Sequence, residues 1–282
     1  MLCWRPAAGS YPEIMGASDD LAQRFRELHR KGQPFLLANV WDAGSARVLE
    51  SLGYEALATT SSGHAGTLGR HDGAVGRDES LDHCRDLVAA TRLPVSADLE
   101  DCYAADAEGV AETIRLAREV GLAGCSIEDW AGGDAARIRP LDEAVARVGS
   151  AVAAAEGSLV LTARAENHLR GVDDLDDTIE RLQAYAEAGA DVVYAPGLAD
   201  VDEIRRVVES VDAPVNVLCR PGAPTVAELA EIGVARISVG GAFYFAALGA
   251  LVAAAREWKE KGTHDFWTAA IAGMQAGKPA FD

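Results

Sequence analysis

A parallel (β/α)8 barrel is the fold that this 282-residue sequence predicts, and three observations predict it. Eight short apolar runs recur along the chain, each followed by a helix-like stretch, at roughly 20–40-residue spacing. Helical stretches close on glycine and enter the next run directly, as in Glu187-Ala188-Gly189-Ala190-Asp191 and Glu231-Ile232-Gly233-Val234-Ala235. No low-complexity linker divides the chain, and barrels commonly occupy this length as one unit.

In order, residues 1–17 read as a loose extension and residues 18–282 as a single barrel domain, opened by an extra helix at Ser18–Lys31. Strands are predicted at Phe35–Val40, Ala56–Thr60, Val95–Glu100, Gly124–Glu128, Leu159–Arg164, Asp191–Ala195, Val215–Leu218 and Arg236–Val239. The helices between and after them are Ala43–Leu52, Leu81–Thr91, Ala107–Val120, Leu141–Ala155, Asp174–Ala188, Asp200–Ser210, Thr225–Ile232 and Ala242–Glu260. Val110, Ile114, Ala117 and Val120 show the helical period with charges between them. A terminal helical segment follows at about His264–Ala276, completing a TIM-type barrel with added helices at both ends.

Composition narrows the partners. Hydrophobic residues make up 49% and charged residues 25%, as in a soluble globular protein with a large core. A formal net charge of -18 argues against nucleic acid as a partner and disfavours anionic membrane surfaces. Five cysteines without CxxC spacing read as reduced thiols of a cytoplasmic protein. No signal peptide is expected, because residues 1–16 lack a basic start followed by an apolar segment. The apolar run Phe243–Ala255 is too short to span a membrane.

Barrel enzymes carry their chemistry at the carboxyl ends of the strands. Collected there are Trp41 and Asp42, Thr59 to Gly63, Asp98, Glu100, Glu128, Arg164, Glu166, Tyr194, Asn216, Ser238 and Gly240. Strand side chains alternate, so Asp98 and Glu100 are expected on one face at the end of the third strand. Glu128 ends the neighbouring strand, and such carboxylates repel unless a cation sits between them. With Asp72 they form an all-oxygen set suited to Mg2+, or to Mn2+, rather than zinc. Thr59-Thr60-Ser61-Ser62-Gly63 offers hydroxyls and backbone N–H groups that can cradle an anion. Arg164 on a rim of such an acidic chain suggests bidentate capture of a carboxylate, or a salt bridge to Glu166 or Glu128. The glycine-containing segment Asp129–Ile138 reads as a loop able to close over the site.

With these residues assembled, the chain resembles the isocitrate lyase/phosphoenolpyruvate mutase superfamily. The carrying segments are Asn39 to Ala46, Thr59 to Gly63 with Leu68 to Gly73, Pro94 to Tyr103, Ser126 to Asp129, Thr162 to Arg164 and Pro214 to Leu218. The resemblance implies Mg2+ near the upper rim, with Asp98 the best direct ligand and the other acids acting through water. It implies that Ser61, Ser62 and Gly63 hold the carboxylate end of a 2-oxo or 2-hydroxy acid, with Arg164 as a substrate-binding arginine and Asp129–Ile138 as the gating loop. It also implies a homotetramer, often with a terminal helix exchanged between neighbours.

Two specific activities of that superfamily leave no signature here. The Lys-Arg-Cys-Gly-His run of isocitrate and methylisocitrate lyases is absent, as is the Lys-Thr-Asn-Ser loop of the mutases, whose downstream histidine position holds Pro196. The acid–base residue is therefore open among Cys102, His64, Tyr103 and Glu166. The expected function is a Mg2+-dependent lyase that cleaves a C–C bond of a 2-hydroxy or 2-oxo di- or tricarboxylate through an enolate-like intermediate. The alternatives are a phosphonopyruvate-type C–P mutase or hydrolase, an oxaloacetate-like decarboxylase or hydrolase, and a non-catalytic metabolite-binding barrel.

Overall fold

The computed structural model describes residues 11–132 and 136–282. Among these, the barrel strands are β1 (Phe35–Val40), β2 (Leu57–Thr59), β3 (Val95–Asp98) and β4 (Gly124–Glu128). A short antiparallel pair, β5 (Trp130–Ala131) and β6 (Arg137–Ile138), follows β4. The barrel then continues through β7 (Val160–Arg164), β8 (Val192–Tyr194), β9 (Val215–Leu218) and β10 (Arg236–Ser238). These eight parallel strands close in the order β1-β10-β9-β8-β7-β4-β3-β2, as the sequence predicts. The helices are α1 (Tyr11–Leu28), α2 (Ala43–Ser51), α3 (Ser61–Thr67), α4 (Arg77–Ala90), α5 (Ala107–Val120), α6 (Leu141–Ala155), α7 (Leu175–Glu187), α8 (Val201–Ser210), α9 (Val226–Glu231), α10 (Ala242–Lys261) and α11 (Trp267–Phe281).

The strands are short, and their ends carry the site. Four helix starts are fixed by a local aspartate: Asp42, Asp106, Asp174 and Asp200 accept from backbone N–H groups at the starts of α2, α5, α7 and α8. Part of the chain's acidity is thus structural. Between strands and helices lies the main apolar layer, which includes Leu99, Ile114, Ile127, Leu161, Leu182 and Ile204. A second cluster closes the amino-terminal mouth of the barrel, where Phe25 of α1 packs against Phe35, Leu37, Val160 and Val192. Gly124 makes room for that plug, since a Cβ there would lie 2.9 Å from the Phe25 ring. With that mouth plugged, the cavity opens at the carboxyl side.

Several boundaries differ from expectation, most by one or two residues at an element's end. α1 starts at Tyr11 rather than Ser18, while residues 1–10 of the expected extension lie outside the described residues. α4 begins at Arg77 rather than Leu81, with Asp78 and Glu79 in its first turn, where the helix dipole favours acids. α11 runs Trp267–Phe281 rather than His264–Ala276. The polar segment after β2 becomes α3, because the Thr60 side chain accepts from the Gly63 N–H and starts a helix there.

Candidate active site

The carboxyl mouth opens into a cavity of about 280 Å³ that descends into the barrel. Its upper wall includes Ser61, Ser62, Asp72, Asp98 and Arg164, and deeper it meets Ser126, Thr162, Asn216, Ser238 and Arg236. Alternation puts Thr162 and Arg164 of β7 on the inner face, one layer apart. A wider antechamber outside it is lined by Glu100, Tyr103, Trp130 and Arg170 among others.

Arg164 organises the mouth. Its Nη1 donates to Asp98 Oδ1 at 3.0 Å, Nη2 lies 3.2 Å from Glu128, and Nε and Nη2 both reach Glu166 Oε1, at 3.1 and 2.6 Å. Burial works against the charge, but Glu166, Glu128 and Asp98 outweigh it and hold the guanidinium pKa well above its ordinary value. Arg170 adds a second cation, 3.1 Å from Glu166 and 3.7 Å from Glu128, and stacks 4.3 Å over the Trp130 ring. Three carboxylates therefore face two guanidinium groups, with Glu100 and Asp72 nearby. Burial, then the approach of Glu166 and Asp98, push the Glu128 carboxyl well up despite the arginines.

Asp98 is held from three sides. Its backbone N–H donates to Thr59 Oγ1 at 2.8 Å, the Ser61 hydroxyl donates to Oδ2 at 3.0 Å, and the Ser126 hydroxyl approaches Oδ1 at 3.4 Å. Thr59 thus positions Asp98. Asn39 in turn fixes the rim beside it: its Nδ2 donates to the Thr59 carbonyl, and its Oδ1 accepts from the Val239 and Gly240 N–H groups.

Several expected roles are corrected. β3 ends at Asp98 and Leu99 is fully buried, so Glu100 does not share a strand face with Asp98. Glu100 instead enters the antechamber through a left-handed backbone conformation, φ 51°, which is uncommon for glutamate. Glu128 lines the antechamber but is paired with Arg164 and Arg170, so its charge is already engaged by two guanidinium groups. The Gly63 N–H is occupied by Thr60 Oγ1 at 3.3 Å, which removes it from the anion cradle and leaves Ser61 and Ser62. Cys102 is fully buried in the apolar layer, and burial pushes its thiol well above the usual range, so it is no acid for the mouth. His64 points away from the cavity onto His83, ring centroids 3.7 Å apart, and burial followed by His83 lowers its pKa to about 4. Tyr103 donates to Ser80 Oγ at 3.0 Å and lines the antechamber. Gly133, Asp134 and Ala135 of the expected gating loop lie outside the described residues; its flanks form the β5–β6 ribbon.

Sequence reasoning missed Arg170 and Arg236. Arg170 sits four residues past Glu166, a spacing that could have flagged it as a helical-turn partner. Arg236 opens β10 and carries no local signal.

The donor set fits a hard divalent cation held largely through water. Among the described residues no three acidic, histidine or cysteine side chains form a ready cage. Mg2+, however, commonly binds through one or two carboxylates and keeps its waters. Burial, then Asp98 and Asp72, raise the Glu100 carboxyl to about 7, as expected where carboxylates crowd without enough positive charge. Asp98, Glu100 and Asp72 are the oxygen donors that would hold such an ion.

The fold and this mouth define a class first: a barrel enzyme scaffold with an acidic, arginine-centred carboxyl rim. Residues 25–259 match the phosphoenolpyruvate phosphomutase family profile, and the chain belongs to the phosphoenolpyruvate mutase/isocitrate lyase superfamily. An uncharacterised Mycobacterium tuberculosis protein is 34% identical over 82% of this chain and 87% of its own. The oxaloacetate decarboxylase of Chromohalobacter salexigens is 31% identical over 86% of each chain. A crystal structure from Burkholderia cenocepacia, provisionally described as a lyase/mutase, is 50% identical with a TM-score of 0.89, covering 93% of this chain and 96% of that one. Phosphonopyruvate hydrolase, solved with oxalate and Mg2+, shares the fold at 22% identity and a TM-score of 0.77 over 86% of this chain and 87% of that one. Superfamily members are lyases, mutases and hydrolases acting on oxo acids. No helix among the described residues is long and apolar enough to cross a membrane.

Proposed function

We propose that this protein is a Mg2+-dependent carbon–carbon lyase that cleaves a small 2-hydroxy or 2-oxo acid bearing two or three carboxyl groups and releases a small oxo acid. The observation that carries the reading is the half-buried couple of Arg164 and Asp98 at the top of an oxygen-lined cavity, 3.0 Å apart and flanked by the Ser61 hydroxyl. When bound beside Asp98, the metal would supply Lewis-acid stabilisation of the negative charge that develops as the bond to C3 breaks. Arg164 presents a planar fork to the substrate carboxylate, exchanging part of its internal pairing for the ligand. Ser61 and Ser62 orient that carboxylate from the side. Trp130 and Arg170 narrow the antechamber and limit water at the reacting carbon. In a 2-hydroxy acid the hydroxyl loses its proton, the C2–C3 bond breaks, and C3 leaves as an enolate that is then protonated.

The oxaloacetate decarboxylases among the relatives favour a second reading within the same chemistry, loss of carbon dioxide from a 2-oxo diacid. C–P cleavage is the less favoured alternative, since Pro196 lines the cavity where the mutases carry a histidine. Incubation with a panel of 2-oxo and 2-hydroxy acids, with Mg2+ and with EDTA, separates the three. An oxo acid formed only with metal, with neither carbon dioxide nor phosphate released, supports the lyase; an oxo acid with carbon dioxide supports the decarboxylase, and inorganic phosphate from phosphonopyruvate the C–P reading; no turnover of any acid sinks all three. We further infer a homo-oligomer, a tetramer by superfamily resemblance, supported by the apolar side chains that α10 leaves in solvent: Phe245, Leu251 and Trp258. A cytoplasmic location agrees with the free cysteines Cys84, Cys102, Cys125 and Cys219.

A further inference from the structure

The cavity below the reacting mouth ends on a second cation. Arg236 projects from the start of β10 across the barrel interior and is only 4% exposed. Its Nε donates to Asn216 Oδ1 at 3.0 Å, its Nη2 to Thr162 Oγ1 on the far wall at 3.0 Å, and its Nη1 to His29 Nε2 at 3.1 Å. All three partners are neutral. His29 stays uncharged because burial, and Arg236 itself, lower its pKa to about 3, while its Nδ1 donates to the Phe25 carbonyl at 2.8 Å. Burial lowers the Arg236 pKa only to about 10, so the guanidinium remains charged at neutral pH.

Arg164, one layer higher, meets three carboxylates; among the described residues none pairs with Arg236. A buried charge without a counter-charge is strongly unfavourable. The three bonds engage three of the five guanidinium N–H groups and leave two for a ligand. Arg236 lines the same 280 Å³ cavity as Asp98 and Arg164, a space equal to about nine water molecules.

We propose that Arg236, framed by Asn216 and Thr162, is an anion seat at the cavity floor that takes the distal carboxylate of the substrate and selects diacids over monoacids of equal length. This rests on the reading of the mouth as the end where the reacting carboxylate binds. A charge-assisted hydrogen bond in a desolvated site is sufficient for discrimination of about tenfold or more. The seat also explains why the barrel interior carries Thr162, Asn216 and Ser238 where packing alone would favour branched aliphatic side chains.

The test is calorimetric binding in Mg2+ of three probes: oxalate, malate, and 2-hydroxybutyrate, which matches malate in chain length but lacks the distal carboxylate. Wild-type protein is expected to bind malate at least about tenfold more tightly than 2-hydroxybutyrate. In Arg236→Gln that ratio should fall to within about twofold while oxalate affinity changes by less than about threefold. A ratio unchanged in the variant, or no preference in the wild type, overturns the seat while oxalate binding keeps the mouth reading alive. Failure of oxalate itself to bind removes the mouth reading and the seat with it. Should Arg236→Gln not fold, Asn216→Asp decides: it sets a carboxylate beside Nε, and is expected to raise Tm and abolish the malate preference. An unchanged or lower Tm, or a retained preference, refutes the seat.

Discussion

At Arg164 one guanidinium group meets Asp98, Glu128 and Glu166, so the charge balance of the mouth is set by single side chains. Arg164→Lys keeps the charge but loses the fork, and kcat/KM should fall by roughly a hundredfold or more, most of it in KM; unchanged constants would remove Arg164 from the substrate. Asp98→Ala is expected to abolish Mg2+-dependent turnover and Mg2+ binding by calorimetry while the far-UV circular dichroism stays that of the wild type. Full activity in that variant refutes the metal assignment of Asp98. Two buried imidazoles set an acid limit on stability. His29 and His64 are held neutral down to about 3 and about 4, below the ordinary value of 6.5. Below pH 6.5 the unfolded chain takes up protons the native state refuses, so their contribution is full above 6.5 and is lost as pH falls from there toward 4. The urea midpoint should drop across that window, and His64→Gln should flatten the drop; a pH-independent midpoint contradicts the burial of these rings.

Elements deliver these residues with different rigidity. The stretch after β7 is pinned from behind by Asp129, which accepts from the Glu166 N–H at 2.9 Å and from the Tyr185 hydroxyl at 2.6 Å, and pairs with Arg181 at 3.2 Å. Removing a partner from such a buried cluster costs about 3 kcal/mol or more, so Asp129→Ala should lower the unfolding free energy by about that much in urea titration. A change below about 1 kcal/mol would show that the cluster does not support the rim. α10 behaves differently, since none of its residues is buried and Phe245, Leu251 and Trp258 face outward. Large apolar groups left in solvent mark an interaction surface. Light scattering should report an oligomer, and Leu251→Glu should shift it toward smaller species; a wild-type monomer contradicts the proposed assembly.

For the whole molecule, one mouth is sealed by α1 and the other opens into the cavity; a ligand that binds only the native state there stabilises it. Mg2+ with oxalate should therefore raise Tm in proportion to the logarithm of ligand concentration above Kd. Neither ligand alone is expected to match the pair, and a Tm indifferent to both would dissociate the cavity from the metal. The barrel itself was legible in the sequence: β1, β4 and β9 and helices α5 and α6 match their predicted limits residue for residue. Strand alternation and helical period act over a few residues, and local rules suffice for them. The rim location of Asp98 and Arg164 followed from the same rules, whereas Asn216, expected on the rim, lies deeper, against Arg236.

What the sequence could not supply was pairing. Glu100 reached the mouth through a turn that alternation does not foresee, Cys102 turned into the apolar layer, and His64 turned to His83. The sequence by itself determined the barrel and the acidic character of its carboxyl end, because each depends on short-range periodicity. Only the tertiary structure decided that Arg164 meets Asp98 across 66 residues and that Arg236 meets Thr162 across 74, leaving one cation surrounded by acids and the other, among the described residues, with neutral partners. Those pairings depend on closure of the barrel and on strand register, which bring together side chains that no local window contains.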